Sequence, residues 1–176
     1  MIYRTRTYVA GDWTGDKNAI DQLYRWNNSN YWGLSFSDAH DLHQSNDNSL
    51  NCSIKQSLCQ RMDASKTFVL IVGNKTKSLT AGSCQYCASY RSLSCSCTRG
   101  HGISLKSYIE YECEKAIRDN LKIIVLYNST FVNKSRCPDC IKNYGIHVPM
   151  KTNNGIWGAI WDYFSVKNAF DRANLR

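Results

Sequence analysis

Apolar positions along the chain follow two spacings in turn, which predicts strands alternating with helices. Continuous or alternating apolar runs predict strands, and apolar residues three and four positions apart predict helices. The predicted strands cover residues 5–10, 33–36, 67–72 and 121–127. The predicted helices cover residues 17–26 and 49–63, a segment that begins near Ser107, and a late segment containing Trp157, Ile160, Trp161 and Phe164.

This alternation predicts a doubly wound α/β domain with a parallel, flavodoxin-like sheet. The run Thr67–Val72 is apolar throughout and is closed by Gly73, a pattern typical of a central strand covered on both faces. We expect residues 1–176 to form one domain, with a cysteine-rich insert at about residues 80–100. In such sheets ligands bind in the crevice outside the carboxyl ends of the strands.

Three acids lie on the helix that precedes the last predicted strand. Leu105, Ile109, Cys113, Ala116 and Ile117 form its apolar stripe. Glu110 completes an S-x-x-E capping box with Ser107, and Glu114 points away from the stripe. Glu112 lies on the flank of the stripe beside Tyr108, where a carboxylate is partly desolvated and is a candidate catalytic group. The alternative is an ordinary glutamate at the edge of the stripe.

The predicted crevice has further candidates at the ends of the strands. The nucleotide-binding candidates are Ala10, Gly11, Asp12, Trp13, Phe36, Asp38 and Tyr108. The aromatic side chains among them could stack on a base or a nicotinamide ring, although core packing explains Trp13 and Phe36 equally well. His40 and His43, near Asp38, suggest a metal or acid–base pair, but solvated loop residues are the simpler interpretation.

Charge and missing motifs exclude several classes of protein. The net charge is +8, but the basic residues are scattered and form no nucleic-acid-binding cluster. The chain has no G-x-G-x-x-G, no complete P-loop and no G-x-S-x-G motif. Its first residues do not read as a signal peptide and no apolar run is long enough to span a membrane. We therefore expect a cytoplasmic protein that is neither a dehydrogenase of the usual kind nor a nucleic-acid binder.

The nine cysteines suggest a metal rather than disulfides, because no export signal is apparent. Two close pairs, Cys84/Cys87 and Cys95/Cys97, could hold a structural Zn²⁺ within a polar loop that cannot form a core. Free thiols are an equally good interpretation. Rival ligands are His101, Cys137 and Cys140, whereas Cys52, Cys59 and Cys113 read as small buried apolar residues.

The order of these segments resembles that of a TIR-like domain, most closely the ThsB-type TIR proteins of bacterial Thoeris antiphage defence. The resemblance covers about residues 3–130. It rests on Tyr8–Trp13, on Phe36–Asp38 with Ile54, Leu58 and Thr67–Gly73, and above all on Tyr108-Ile109-Glu110-Tyr111-Glu112 followed by Lys122-Ile123-Ile124. Tyr108 stands where many members have Trp, and the cysteine-rich insert is not part of the family pattern.

The resemblance implies that NAD⁺ is cleaved between nicotinamide and ribose, with Glu112 as the catalytic glutamate. It also implies an ADP-ribose-derived signalling nucleotide, a downstream effector reached by that nucleotide, and possible homo-oligomers. Two alternatives remain open: a TIR-like scaffold without turnover, and a nucleoside or nucleotide glycosyl transferase that also uses one carboxylate on a sugar.

Overall fold

A computed structural model describes residues 4–39, 50–156 and 158–174. Its centre is a four-stranded, wholly parallel sheet in the order β1-β2-β5-β6. These strands are β1 (Arg6–Ala10), β2 (Ser65–Val72), β5 (Lys122–Tyr127) and β6 (Ile146–Pro149). Two small hairpins pair β3 (Tyr90–Arg91) with β4 (Ser96–Cys97) and β7 (Lys151–Asn153) with β8 (Ala159–Trp161). The helices are α1 (Lys17–Asn27), α2 (Asn51–Asp63), α3 (Tyr108–Arg118) and α4 (Tyr163–Asn174).

Helices cover both faces of the sheet, as the doubly wound prediction requires. Side chains alternate along each strand, so Phe68 and Leu70 face one way while Val69 and Ile71 face the other. The first face, here called the cleft face, packs on α2 and α3, including Met62, Ile109, Cys113 and Ala116. The second, here called the opposite face, packs on α1 and α4, including Leu23, Trp26, Val166 and Phe170. This confirms the predicted flavodoxin-like α/β class.

The predicted strand at residues 33–36 is wrong. Gly33 and Ser35 have positive φ values of 46° and 56°, which an extended strand does not allow. The chain instead meets the free edge of β1 two residues later, in an isolated parallel bridge between Thr7 and Asp38. The Thr7 amide donates to the Ser37 carbonyl at 2.8 Å, and the Ala39 amide donates to the Thr7 carbonyl at 3.0 Å. The edge pairing expected of a flavodoxin-like sheet is therefore present but displaced along the chain.

The other predicted strands and the first three helices lie where the pattern placed them, within a few residues at each end. Leu105 is an exception to the predicted stripe of α3, because it precedes the helix and is 56% exposed. The late helix is also placed wrongly. Ile160 and Trp161 belong to β8, and only Phe164 lies in a helix. Two glycines with positive φ, Gly155 and Gly158, turn the chain into a hairpin there, and Trp157 lies outside the described residues.

Among the described residues, none of the helices combines the length and the apolar character that a membrane crossing would require. The segment between residues 80 and 100 contains a single helical turn, Cys84–Tyr86, and the small β3–β4 hairpin. It joins β2 to α3, and so it leads directly into the helix that carries the three acids.

Candidate active site

The predicted capping box fixes the start of α3. The Ser107 hydroxyl accepts a hydrogen bond from the Glu110 amide at 3.2 Å, and the Glu110 carboxylate accepts one from the Ser107 amide at 2.9 Å. Both bonds satisfy amides that a helix start leaves without partners. Glu110 is thus committed to the cap, as its spacing predicted.

The other two acids of α3 differ sharply in environment. Glu114 lies at the surface and forms an ion pair with Lys106. Glu112 is only 6% exposed, and its Oε1 atom accepts a hydrogen bond of 2.5 Å from the Tyr8 hydroxyl. Tyr8 is fully buried in β1, where its ring stacks on Phe68 with centroids 6.0 Å apart. The sheet therefore holds the donor that orients the Glu112 carboxylate.

Burial raises the pKa of Glu112 to about 7, even though the Tyr8 hydrogen bond and the positive charge of Arg61 both act to lower it. Burial disfavours the charged form of a carboxyl group, because the interior solvates it less well than water does. Burial also raises the pKa of Tyr8 well above its usual value, and the adjacent Glu112 adds to the effect. The tyrosine hence remains a neutral donor while the glutamate titrates near neutral pH.

Glu112 and Tyr8 line a cleft of about 310 Å³ at the carboxyl end of β1. The turn after β1 forms part of this cleft through Gly11, Asp12 and Trp13. The Asp12 carboxylate shapes the turn by accepting from the Gly15 amide at 2.8 Å. A side chain at Gly11 would place its Cβ 3.3 Å from the Cβ of Ile71, a tight contact that would require the turn or Ile71 to shift slightly.

Two aromatic side chains, Trp13 and Tyr108, line this cleft. Trp13 is 47% exposed and packs against Tyr24 with ring centroids 6.2 Å apart. Tyr108 is held by a hydrogen bond of 2.9 Å from its hydroxyl to Asn51, and burial raises the pKa of Tyr108 to about 12. Both rings therefore offer uncharged faces against which a planar ligand could stack.

The segment after β2 is fastened to Tyr108. The Tyr108 amide donates to the Ala81 carbonyl at 2.8 Å. Gly82 has a φ of 92°, and a Cβ built there would lie 2.4 Å from the Tyr108 ring. Because only glycine leaves room for the ring, Gly82 and Tyr108 form one packed unit at the rim of the cleft.

Three of the predicted nucleotide-binding residues are placed elsewhere. Ala10 is buried within β1. Phe36 stacks on Phe170 of the opposite face with centroids 5.5 Å apart. The Asp38 carboxylate accepts a hydrogen bond of 2.6 Å from the Tyr24 hydroxyl and lines a separate cleft with Phe36. Phe36 and Asp38 do not line the cleft that contains Glu112, although the Asp38 charge contributes to raising the pKa of Tyr8. The histidine pair, His40 and His43, lies outside the described residues.

Arg61 is a cleft residue that the sequence analysis did not single out. It lies near the end of α2, is 7% exposed and lines the cleft together with Glu112. One signal was available, because Arg61 falls on the same helical stripe as Ile54 and Leu58, which also line the cleft. A cation on an apolar stripe differs from the usual solvated arginine.

The four cysteines proposed as zinc ligands are not gathered into a site. The Cys84 sulfur accepts from the Ser104 amide at 3.4 Å, whereas Cys95 is exposed and accepts from the Tyr90 hydroxyl at 3.7 Å. Across the described ranges, no group of three or more His, Cys, Asp or Glu side chains could hold a metal ion, and this covers Cys87, Cys97 and His101. Zinc binding stays a prediction that this geometry does not support.

The rival cysteines lie in another part of the molecule. Cys137 is fully buried in the core of the cleft face, and the half-buried Cys140 packs against the same core as Cys113. A hydrogen bond from Cys113 lowers the pKa of Cys140, while burial raises the pKa of Cys113. Cys113 is buried as predicted, whereas Cys52 and Cys59 are only partly buried.

A parallel doubly wound sheet with helices on both faces, and a cleft at the carboxyl end of its first strand, is consistent with a TIR-like, flavodoxin-like fold. The family model described as Thoeris protein ThsB, TIR-like domain, matches residues 8–81 of this chain. The match confirms the resemblance found in the sequence for these 74 of the 176 residues. It includes Tyr8, the β1 turn and Arg61, and it ends before Glu112. No curated protein matches the chain.

Proposed function

We propose that this protein cleaves NAD⁺ at the bond between nicotinamide and ribose, as part of bacterial antiphage defence. The observation that carries the proposal is the buried Glu112 carboxylate in the cleft, oriented by Tyr8 and accompanied by aromatic rings. The ThsB TIR-like domain supports the biological setting. A single carboxylate suits this reaction because the leaving group needs no proton.

Breaking the bond between the ribose C1′ and the nicotinamide nitrogen develops positive charge on the ribose, as in glycoside cleavage. The bonding electron pair leaves with nicotinamide, whose positive charge is thereby neutralised. A fixed carboxylate beside the ribose stabilises the developing charge, and a buried site strengthens that interaction. Glu112 fits this role in its ionised form, and Tyr8 would hold the carboxylate in one orientation.

The rest of the cleft suits the remaining parts of the substrate. Trp13 and Tyr108 present faces for stacking a planar ring. The ribose cation is then captured by water, or by a hydroxyl of the substrate itself, which closes a ring. In either case the attacking oxygen releases its proton to solvent. The second outcome would give a cyclic ADP-ribose derivative that acts as the signal for a downstream effector, and homo-oligomers are part of the same proposal.

The test is to incubate the protein with NAD⁺, with and without an extract of phage-infected bacteria, and to identify the products by mass spectrometry. We expect Glu112→Gln to reduce nicotinamide release by about a hundredfold or more, since a preorganised electrostatic group of this kind contributes that much. Gln retains the acceptor oxygen for Tyr8, so the fold should be unaffected.

Glu114→Gln is the matched control, because it makes the same change two residues along α3 at the surface. We expect it to cleave NAD⁺ at close to the wild-type rate. Wild-type turnover in Glu112→Gln would overturn the proposed reaction and favour a scaffold. Cleavage of nucleosides with no reaction of NAD⁺ would instead identify a nucleoside transferase.

A further inference from the structure

Arg61 is a buried cation whose side chain has no hydrogen-bond or ion-pair partner among the described residues. Its side chain lies near the end of α2 and is 7% exposed, and its Nε atom is buried with no hydrogen-bond partner among the described residues. It lines the same cleft as Glu112. The two charges interact, because Arg61 acts to lower the pKa of Glu112, but no ion pair between them is formed within the described part of the chain.

The other buried cations of the cleft face are satisfied. Lys55 is 4% exposed and donates to the carbonyls of Ser104 and Lys106 at 3.1 and 2.6 Å. Lys115 is equally buried and forms ion pairs of 2.6 Å with Asp63 and Asp119. A buried charge without such partners costs free energy. Within the part of the chain that the structure describes, Arg61 is thus the exception on this face, and it is the cation that lines the cleft.

We propose that Arg61 is an anion-binding residue that holds the diphosphate of the dinucleotide ligand. The proposal rests on the proposed function and deepens it by assigning the phosphate-bearing part of the substrate to a residue. A guanidinium presents a planar fork of donors that matches phosphate oxygens, and such charged hydrogen bonds are strongest where water is excluded. The ligand would supply the partner that the protein does not.

The two opposite charges, Glu112 and Arg61, would contact different parts of the substrate. Glu112 attracts the ribose that becomes positive, and Arg61 attracts the diphosphate that is negative throughout. In a dinucleotide the diphosphate is separated from the reacting C1′ by a single ribose, so both groups can be engaged within one cleft of about 310 Å³. Arg61 would accordingly fix the position of the reacting bond relative to Glu112.

The experiment is calorimetric titration of the full chain with ADP-ribose, which carries the diphosphate, and with nicotinamide riboside, which does not. We expect Arg61→Gln to weaken ADP-ribose binding by about ten- to a hundredfold, the loss that removal of a charged hydrogen bond produces. Riboside binding should change less than about threefold. Arg61→Lys keeps the charge without the planar fork and should give an intermediate loss for ADP-ribose.

Lys66→Gln is the matched control, since it removes one positive charge from an exposed position close to Arg61 in the chain. It should leave both affinities unchanged, which separates local binding from the net charge of the protein. Thermal unfolding supplies a second control. Removal of an unpaired buried charge should leave the Tm of Arg61→Gln equal to that of the wild type or higher.

Equal weakening of both ligands, no weakening of either, or no ADP-ribose binding by the wild type would overturn the proposal. A fall in Tm of more than about 4 °C would instead identify a structural role for Arg61. Failure of the proposed reaction can be told apart from failure of the anion site. If ADP-ribose binds through Arg61 but NAD⁺ is not cleaved, the anion site is supported and the proposed reaction is wrong. If Arg61→Gln cleaves NAD⁺ as well as the wild type does, only the anion site is wrong.

Discussion

The two faces of the sheet are built from the same strands but contain different chemistry. The cleft face buries charged side chains, including Glu112 and Arg61, beside its apolar core. The opposite face is dominated by aromatic packing, in which the Trp26 ring meets Trp161 and Tyr163 edge-on. Buried charges stabilise a fold less reliably than apolar contacts do. The two faces therefore differ in kind: one combines an apolar core with buried charges at a cleft, and the other is packed by aromatic rings.

Asp16, a buried acid beside the opposite face, is an example of a carboxylate with a structural role. Asp16, at the start of α1, accepts a hydrogen bond of 2.9 Å from Asn128, and a Cβ at Gly73 would lie 1.9 Å from its carboxylate. Burial raises the pKa of Asp16 as it does that of Glu112. The difference is spatial, because the backbone encloses Asp16 while Glu112 lines a cleft.

The largest expected effect is the loss of stability caused by truncating an aromatic side chain of the opposite face. Phe170→Ala on α4 removes a ring that is 4% exposed and stacked on Phe36. We expect it to lower the free energy of unfolding by about 3–5 kcal/mol, the usual cost of such a deletion. Chemical denaturation measures this change. Nicotinamide release per folded molecule should remain near the wild-type value, and its loss in a folded variant would contradict the division between the two faces.

A smaller change in the free energy of unfolding, a gain in place of a loss, is expected when Glu112 is replaced. Its pKa is about 7 in the folded protein against an ordinary value of 4.5, so between these pH values the folded state binds more protons than the unfolded state. Wild-type stability therefore falls as the pH rises through this window. Glu112→Gln does not titrate, and at pH 8 it should be more stable than the wild type by up to about 3 kcal/mol.

Denaturant unfolding at pH 8 and at pH 5 tests this prediction. The stability gain of Glu112→Gln should shrink to less than about 1 kcal/mol at pH 5, where the carboxyl group of the folded wild type is already protonated. A gain of equal size at both pH values would show that the effect comes from packing and not from a buried charge. In active protein, NAD⁺ cleavage should also decline as the pH falls below about 7, because the ionised carboxylate is the form required.

The smallest effect is expected at the helix cap. Ser107→Ala removes the hydroxyl that accepts from the Glu110 amide and should destabilise the protein by about 1 kcal/mol. Ser107→Thr keeps the hydroxyl and should lose less. Denaturation of both variants measures the difference. The pH at which NAD⁺ cleavage is half-maximal should not move in either variant, since the cap does not touch Glu112.

Local pattern was sufficient to predict the central strands, the first three helices and the separate environments of the three acids on α3. It failed at residues 33–36, because the apolar run there is interrupted by positive φ angles at Gly33 and Ser35. It failed again near the C-terminus, where Ile160 and Phe164 show helical spacing but belong to a strand and to the following helix. Such spacing arises by coincidence when aromatic residues from two elements pack together.

The candidate site was predicted only in part, for a physical reason. Glu112, Gly11 and Tyr108 belong to segments whose local pattern places them at the cleft. Arg61 was not predicted as a site residue, because its burial is produced by the packing of α2 against the sheet and α3, and local pattern does not show that packing. Phe36 was assigned to the cleft wrongly, because its position depends on which helix it packs against, and local pattern does not show that either.

Gly82 connects the cysteine-rich segment to the rim of the cleft. Its α-carbon rests against the Tyr108 ring, and Tyr108 begins the helix that carries Glu112 one turn later. A displacement of that segment would therefore be passed to Tyr108 at two adjacent points, the Gly82 α-carbon against its ring and the Ala81 carbonyl on its amide.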